Sequence, residues 1–128
     1  MNIWAVLAAA LASFTFGALW YSPLVFLPAW SREAGISPNQ HISNPVGVFG
    51  LSFVFTLVSA FAFAWWLGPS PGVGFAVASG LAVGICFVAT SIGINYQFAN
   101  RGLLVWLIDS GFHITRFMII GAVLGLWP

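Results

Sequence analysis

The chain has 128 residues, of which 61% are hydrophobic and 4% are charged, and its formal net charge at pH 7 is +1. So apolar a composition excludes a water-soluble domain and is typical of a protein that is dissolved in lipid. The few basic residues form no basic patch, which argues against nucleic acid as a partner. We expect a single integral membrane domain over residues 1–128, with the lipid bilayer as its surroundings.

Four long apolar segments follow one another along the chain, at about residues 3–21, 46–67, 72–96 and 103–127. Each is close to the ~20 residues that a helix needs to cross the hydrocarbon core of a bilayer. Because the apolar runs are continuous rather than alternating, they predict helices and not the strands of a barrel. The sequence therefore predicts an all-α, polytopic membrane protein with four transmembrane helices, packed as a compact bundle of two helical hairpins.

The first segment carries no charge. Pro23, which comes shortly after it, terminates or kinks the helix. The segment lacks the positively charged start of a signal peptide and its apolar run is long, so we expect a retained span. The connection that follows, residues 28–44, is the only one with room for further structure. It contains Arg32, Glu33 and His41, and we expect a short helix there that lies along the membrane interface.

Helix-start signals precede the second and third segments. In Ser43-Asn44-Pro45 a capping side chain comes directly before a proline at the first helical position. The pair Ser70-Pro71, within the tight turn at residues 68–72, repeats this pattern before the third segment. The last connection, Asn100-Arg101-Gly102, is short as well, and it predicts a second hairpin.

Basic and aromatic residues indicate the topology. Arg32 and Arg101 lie in connections on the same side of the membrane, so the positive-inside rule predicts that both termini lie outside the cytoplasm. Tryptophan and tyrosine prefer the level of the lipid headgroups, and four spans place all of them near segment ends. One side would hold Trp4, Trp65, Trp66 and Trp127, and the other side Trp20, Tyr21, Trp30, Tyr96 and Trp106.

Small residues recur at intervals of four in the spans. Burial of apolar surface cannot drive helix association in lipid, so helices associate through close packing at such small residues. The rows predict a tightly packed bundle, oligomer contacts, or both. The packing residues that we expect are Ser13, Gly17, Gly80, Gly84, Gly121 and Gly125.

The fourth segment contains three ionisable side chains. Asp109, His113 and Arg116 are spaced i, i+4, i+7 and share an arc of about 60° on one helix face. A charge within the bilayer costs roughly 2.5–3.5 kcal/mol on insertion scales, so it usually marks a partner or a function. Asn95 and Tyr96 end the third segment on the same side of the membrane as Asp109 and can reach that end of the face, although Asn95 also suits a helix C-terminus.

Three interpretations of this polar face stay open at this point. In the first, Asp109 and Arg116 neutralise one another through His113, or each pairs with groups on other helices. In the second, the face lines a water-filled cavity in which His113 relays protons or coordinates a solute. In the third, Arg116 extends to the interface, or binds an anionic lipid or a partner subunit.

Several motifs resemble those of a bacterial membrane-protein family known as domain of unknown function 1761. They are Gly17-Ala-Leu-Trp-Tyr-Ser-Pro23, the pair Asn95-Tyr96, Gly111-Phe-His113, and Gly121-Ala-Val-Leu-Gly125-Leu-Trp127. The resemblance covers essentially the whole chain. It implies a small four-helix protein of the bacterial inner membrane, and it implies no activity. By this resemblance, His113 falls on a histidine of the family pattern, whereas Asp109 and Arg116 are local to this chain, which favours the self-neutralising interpretation.

The sequence contains no motif of a hydrolase, a metalloprotease or a phosphate-binding enzyme, so we expect no enzymatic activity, no metal and no cofactor. The leading expectation is a non-catalytic protein that acts through helix packing, as a homo-oligomer or as an accessory subunit of a larger membrane complex. Its partner would then be a second copy or another membrane protein. The alternative is a small channel or transporter for protons or a small solute, which uses Asp109, His113 and Arg116.

Overall fold

A computed structural model describes residues 1–37 and 43–128, and these residues form five helices. The helices are α1 (Ile3–Trp20), α2 (Leu27–Ala34), α3 (Pro45–Leu67), α4 (Val73–Phe98) and α5 (Leu103–Leu126). All except α2 are long and apolar enough to cross a membrane. The four predicted spans are therefore confirmed, to within two residues at each end. His41 lies outside the described residues.

The two helix-start predictions have different outcomes. Asn44 caps α3 as predicted: its side-chain oxygen accepts a hydrogen bond from the backbone N–H of Gly47 at 3.3 Å, and Pro45 follows it. The prediction for Ser70-Pro71 is wrong, because α4 begins only at Val73 and no side chain caps it. Ser70 has a φ of 49° and Gly72 a φ of 78°, so both belong to the turn that reverses the chain.

The short helix α2 confirms the expectation of a helix in the first long connection. It begins with Pro28 in its first turn and ends at Gly35, whose φ of 72° terminates the helix. The guanidinium of Arg101, from the connection between α4 and α5, donates to the carbonyl of Ala34 at 2.9 Å. This hydrogen bond places the two arginine-bearing connections at the same end of the molecule.

The last helix, α5, is the centre of the fold. It packs along α4 and α1, touches α2, and contacts α3 only marginally, while α3 packs on α1. The order of packing is therefore α3, α1, α5, α4, and each predicted hairpin is a pair of contacting helices. The buried core lies where α1, α3 and α5 meet, and consists of Val6, Ala9, Ala10, Ala60, Phe63, Ala64, Phe117 and Ile120.

The first half of α3 stands apart from this core. The buried residues of α3 are Thr56, Ala60, Phe63 and Ala64, all in its second half. From residue 45 to residue 55 every side chain except that of Phe53 is exposed. Since α3 also contacts α5 only marginally, its first half packs against little of the described chain.

Glycines allow α4 and α5 to approach at backbone distance. A methyl group placed on Gly84 would lie 2.6 Å from the Cα of Ile114, and one on Gly125 would lie 2.5 Å from the Cα of Val73. Methyl groups on Gly80 and Gly121 would collide with backbone carbonyls of the facing helix. All four predicted packing glycines of these two spans therefore lie in the contact between α4 and α5.

The remaining two predicted packing residues lie on α1. Ser13 is fully buried, with 0% exposure, and its hydroxyl donates to the carbonyl of Ala10 at 3.1 Å. Gly17 faces the ring of Phe112 on α5, so that a methyl group there would lie 3.0 Å from the ring. These two small residues thus serve contacts within the chain.

A π-helical segment, Gly84–Ala89, interrupts α4 in its middle. Such segments widen the helix and leave backbone carbonyls without their usual partners. Side chains supply donors here: the indole N–H of Trp106 donates to the carbonyl of Ala89 at 2.9 Å, and the Thr90 hydroxyl donates to the carbonyl of Cys86 at 2.8 Å. Trp106 therefore ties the widened turn to α5.

Trp106→Phe should lower the free energy of unfolding by about 1 kcal/mol, because the Ala89 carbonyl loses a donor inside the bilayer while most of the aromatic packing remains. Thermal unfolding in detergent, followed by circular dichroism, measures the change. Trp65→Phe is the matched control, since Trp65 is 73% exposed. Equal effects of the two substitutions would show that the hydrogen bond contributes nothing.

Candidate intramembrane polar site

The three ionisable residues of α5 lie well inside a helix that is long enough to cross the membrane. At 1.5 Å per residue, Asp109 is about 9 Å and Arg116 about 20 Å from the start of α5 at Leu103. Arg116 is therefore near the middle of the span. His113 lies between the two charges, one helical turn from Asp109.

Asp109 is bound by two tyrosines from different parts of the chain. It is 7% exposed, and its carboxylate oxygens accept hydrogen bonds from the hydroxyls of Tyr21 and Tyr96, each at 2.5 Å. Tyr21 directly follows α1, and Tyr96 lies in the last turns of α4. The carboxylate thus holds the ends of α1 and α4 against α5.

Tyr21 is packed among aromatic rings. Its ring lies 5.4 Å from that of Phe112 and 6.3 Å from that of Trp30, both edge-on. Burial, reinforced by the hydrogen bond to Asp109, raises the pKa of the Tyr21 hydroxyl above its usual range. The hydroxyl therefore stays protonated and remains a donor to the carboxylate.

Arg116 is held by neutral groups only. Its Nε–H donates to Nδ1 of His113 at 3.3 Å, and Nη1 donates to the hydroxyl oxygen of Ser59 on α3 at 2.8 Å. Its guanidinium carbon also lies 4.5 Å from the centre of the Phe117 ring, in cation–π distance. The Ser59 hydroxyl in turn donates to the carbonyl of Thr56 at 2.9 Å.

The two charges of the face do not form an ion pair with one another. Within residues 1–37 and 43–128, the one ion pair is between Arg32 and Glu33, at 3.9 Å and exposed to solvent. Asp109 and Arg116 are about 10 Å apart along the helix axis, which is too far for direct contact. Asp109 binds the hydroxyls of Tyr21 and Tyr96, and Arg116 binds Ser59 of α3 as well as His113 of its own helix. Pairing of each charge with groups elsewhere in the fold was the other possibility within the first interpretation.

Two partners in this site were not predicted, and one predicted residue lies outside it. Nothing in the sequence indicates that Ser59 contacts the polar face, because it is a single hydroxyl in an apolar run. The position of Tyr21 does indicate such a contact: like Tyr96, it lies at the end of a span, on the side of the membrane nearest Asp109. Asn95 is exposed, and in the described part of the chain its side chain makes no hydrogen bond to Asp109.

A groove lies at the end of α4 and the start of α5, beside one residue of this site. It has a volume of about 450 Å³, and Tyr96, Gln97, Arg101 and Trp106 contribute to its lining. Tyr96 therefore both lines the groove and donates to Asp109. A smaller cavity of about 170 Å³, beside Gly68 and Trp127, lies at the opposite end of the bundle. The described residues include no group of three or more side chains that could hold a metal ion.

The protonation state of His113 follows from its contact with Arg116. A guanidinium can only donate, so Nδ1 of His113 is the acceptor and carries no proton. The proton of the neutral imidazole then lies on Nε2. Further uptake of a proton can occur only at Nδ1, and it requires Arg116 to leave that nitrogen.

Four packed spans with charged side chains inside one of them define a multi-pass membrane protein of the all-α class. The model of the family described as "Protein of unknown function (DUF1761)" matches residues 4–125, so the chain belongs to this family. The resemblance seen in the sequence is thereby confirmed. No curated protein and no solved structure shows a match to the chain.

Proposed function

We propose that this protein is a small membrane channel or transporter whose polar face carries protons, alone or together with a small solute. One observation carries the proposal: a carboxylate and a guanidinium lie inside the membrane on one face of α5, and both are held only by neutral groups. Intramembrane charges that do not neutralise each other mark ion and proton pathways more often than structural contacts.

His113 is the residue that exchanges the proton in this proposal. It is partly exposed and lies on the face between Asp109 and Arg116. Because a proton can enter only at Nδ1, its arrival breaks the hydrogen bond from Arg116. Proton uptake is thus coupled to a movement of the guanidinium.

The groove beside Tyr96 is the entry that we propose on the side of the arginine-bearing connections. Its lining includes both Arg101 and Tyr96, the tyrosine that donates to Asp109. We further propose that this side faces the cytoplasm of a bacterial inner membrane, with both termini outside. The support is that Arg32 and Arg101, in two connections at the same end, agree with the positive-inside rule.

The test is proton flux through the purified protein in liposomes that contain the dye pyranine and face a pH step. The wild type should equilibrate the pH faster than protein-free liposomes, and His113→Ala should return the rate to that of protein-free liposomes. His41→Ala is the matched control, because His41 is the other histidine of the chain and lies in the connection before α3. It should leave the flux unchanged.

Two results would count against the proposal. A wild-type rate equal to that of protein-free liposomes would overturn it. A flux that survives His113→Ala would remove the imidazole from the pathway. The first of these results would favour the non-catalytic alternative, a homo-oligomer or an accessory subunit, in which Arg116 meets an acidic group of another chain.

A further inference from the structure

We infer that the guanidinium of Arg116 is a binding site for a singly charged anionic group in the middle of the membrane. The inference rests on the proposed function and names the class of solute that accompanies the proton. It starts from hydrogen-bond donors, because the guanidinium has donors without acceptors in the part of the chain that the structure describes.

The donors of Arg116 outnumber its acceptors. A guanidinium presents N–H groups on all three nitrogens. The Nε–H is taken by His113 and one N–H of Nη1 by Ser59, and within residues 1–37 and 43–128 the others have no acceptor. The Nε2–H of His113 lies on the far side of the imidazole ring from this guanidinium, so the free donors of the site are those of Arg116. Within the described residues these donors meet no acceptor, and a bound anion would satisfy them.

Charge balance selects the class of ligand. The nearest carboxylate, Asp109, is about 10 Å away along the helix and already accepts from two hydroxyls. Arg116 therefore keeps an unneutralised positive charge at the depth where a charge is most expensive. One negative charge removes this excess, whereas a doubly charged anion would replace it with a negative one. The site therefore suits a singly charged anion.

The site is open to such a ligand. Arg116 and His113 are both partly exposed. On the side of α3, the first half of the helix stands apart from α5. This opening admits either a small anion or the headgroup of an anionic lipid, which the long side chain of Arg116 would reach by extending towards the interface. Both present the same chemistry to the guanidinium.

The experiment measures binding rather than transport. Thermal unfolding of the purified protein is measured in an uncharged detergent at increasing concentrations of sodium chloride or sodium acetate. The same measurement with sodium sulfate at equal ionic strength serves as the comparison. We expect chloride or acetate to raise the Tm saturably, by about 3 °C, because a ligand that binds only the folded state stabilises it. Sulfate stabilises folded proteins by exclusion from their surface, so it should raise the Tm without saturation. Arg116→Gln should abolish the saturable rise seen with chloride or acetate.

Arg32→Gln is the matched control for the removal of a positive charge, since Arg32 lies on α2, outside the spans, and its side chain is 70% exposed. It should leave the salt response intact. Should Arg116→Gln fail to fold, Arg116→Lys is the second variant, because it keeps the charge but loses the planar guanidinium with its paired N–H donors. The anion concentration that gives half of the stabilisation should then rise about tenfold.

A second arm distinguishes the source of the anion. The same variants are unfolded in nanodiscs of phosphatidylcholine with and without phosphatidylglycerol. Stabilisation by phosphatidylglycerol that is lost in Arg116→Gln, together with no response to soluble anions, would assign the site to a lipid headgroup. Stabilisation by chloride or acetate alone would assign it to a solute.

The outcomes separate this inference from the proposed function. If neither soluble anions nor phosphatidylglycerol stabilise the wild type, or if Arg116→Gln responds as the wild type does, the anion site is overturned even where proton flux is found. If anions bind through Arg116 but the liposomes show no proton flux, the site stands and the transport function is overturned.

Discussion

Gly80→Ala and Gly121→Ala should each lower the free energy of unfolding by about 3 kcal/mol, the upper range for overpacking of a tight interface. A methyl group on Gly80 would collide with the backbone carbonyl of Phe117, and one on Gly121 with that of Ala76. Backbone atoms cannot move aside as a side chain does, so α4 and α5 must separate. Because this is the most extensive helix contact of the fold, the loss affects the whole bundle.

The matched control is Gly74→Ala, on the same helix as Gly80. A methyl group at Gly74 meets nothing within 4 Å, and alanine has the higher helix propensity. This substitution should leave stability unchanged or raise it by up to about 1 kcal/mol. Unfolding in mixed micelles, followed by tryptophan fluorescence, compares the three variants. If Gly80→Ala behaves like Gly74→Ala, the backbone contact between α4 and α5 is not present in the membrane.

The second large effect concerns the hydroxyl donors of Asp109. Tyr21→Phe and Tyr96→Phe should each cost about 2 kcal/mol, because each removes a donor from a buried carboxylate. The double variant should cost more than the sum, since the carboxylate is then left without any donor. A neutral hydrogen bond between membrane helices averages only about 0.6 kcal/mol, so the larger expected cost reflects the charged acceptor.

The double-mutant cycle with Asp109→Leu supplies the control. Once the carboxylate is gone, Tyr21→Phe should cost little, because the hydroxyl that it removes has lost its charged acceptor. Coupling of about 2 kcal/mol between the two positions would assign the effect to the hydrogen bond. An unchanged cost of Tyr21→Phe in the Asp109→Leu background would instead assign it to packing of the tyrosine ring against Phe112.

The sequence predicted the elements of the fold well because lipid restricts what a chain can do. A bilayer of fixed thickness requires helices of a certain length, and long apolar runs specify them with little ambiguity. Local chemistry also located the start of α3 at Asn44, whose side chain caps the helix next to it. It misplaced the start of α4, where the geometry of the whole turn, and not the capping pair Ser70-Pro71, determines the first helical residue.

The pairing within the polar site could not be predicted, because it depends on distances between helices. Helical spacing put Asp109, His113 and Arg116 on one face, which is a local property of α5. Which groups satisfy them depends on how α1, α3 and α4 pack around that helix. Tyr21 and Ser59 are 88 and 57 residues away from their partners in the chain, and no local pattern connects them.

By itself, the sequence thus determined a four-span membrane protein with charges in its last span, since hydrophobic length and helical period are properties of each segment alone. The tertiary structure decided that those charges are separate, one bound by two hydroxyls and the other left with free donors. The physical reason is that side chains reach only a few ångströms. The partners available to Asp109 and Arg116 therefore depend on the backbone contact of α4 with α5 and on the separation of the first half of α3 from α5.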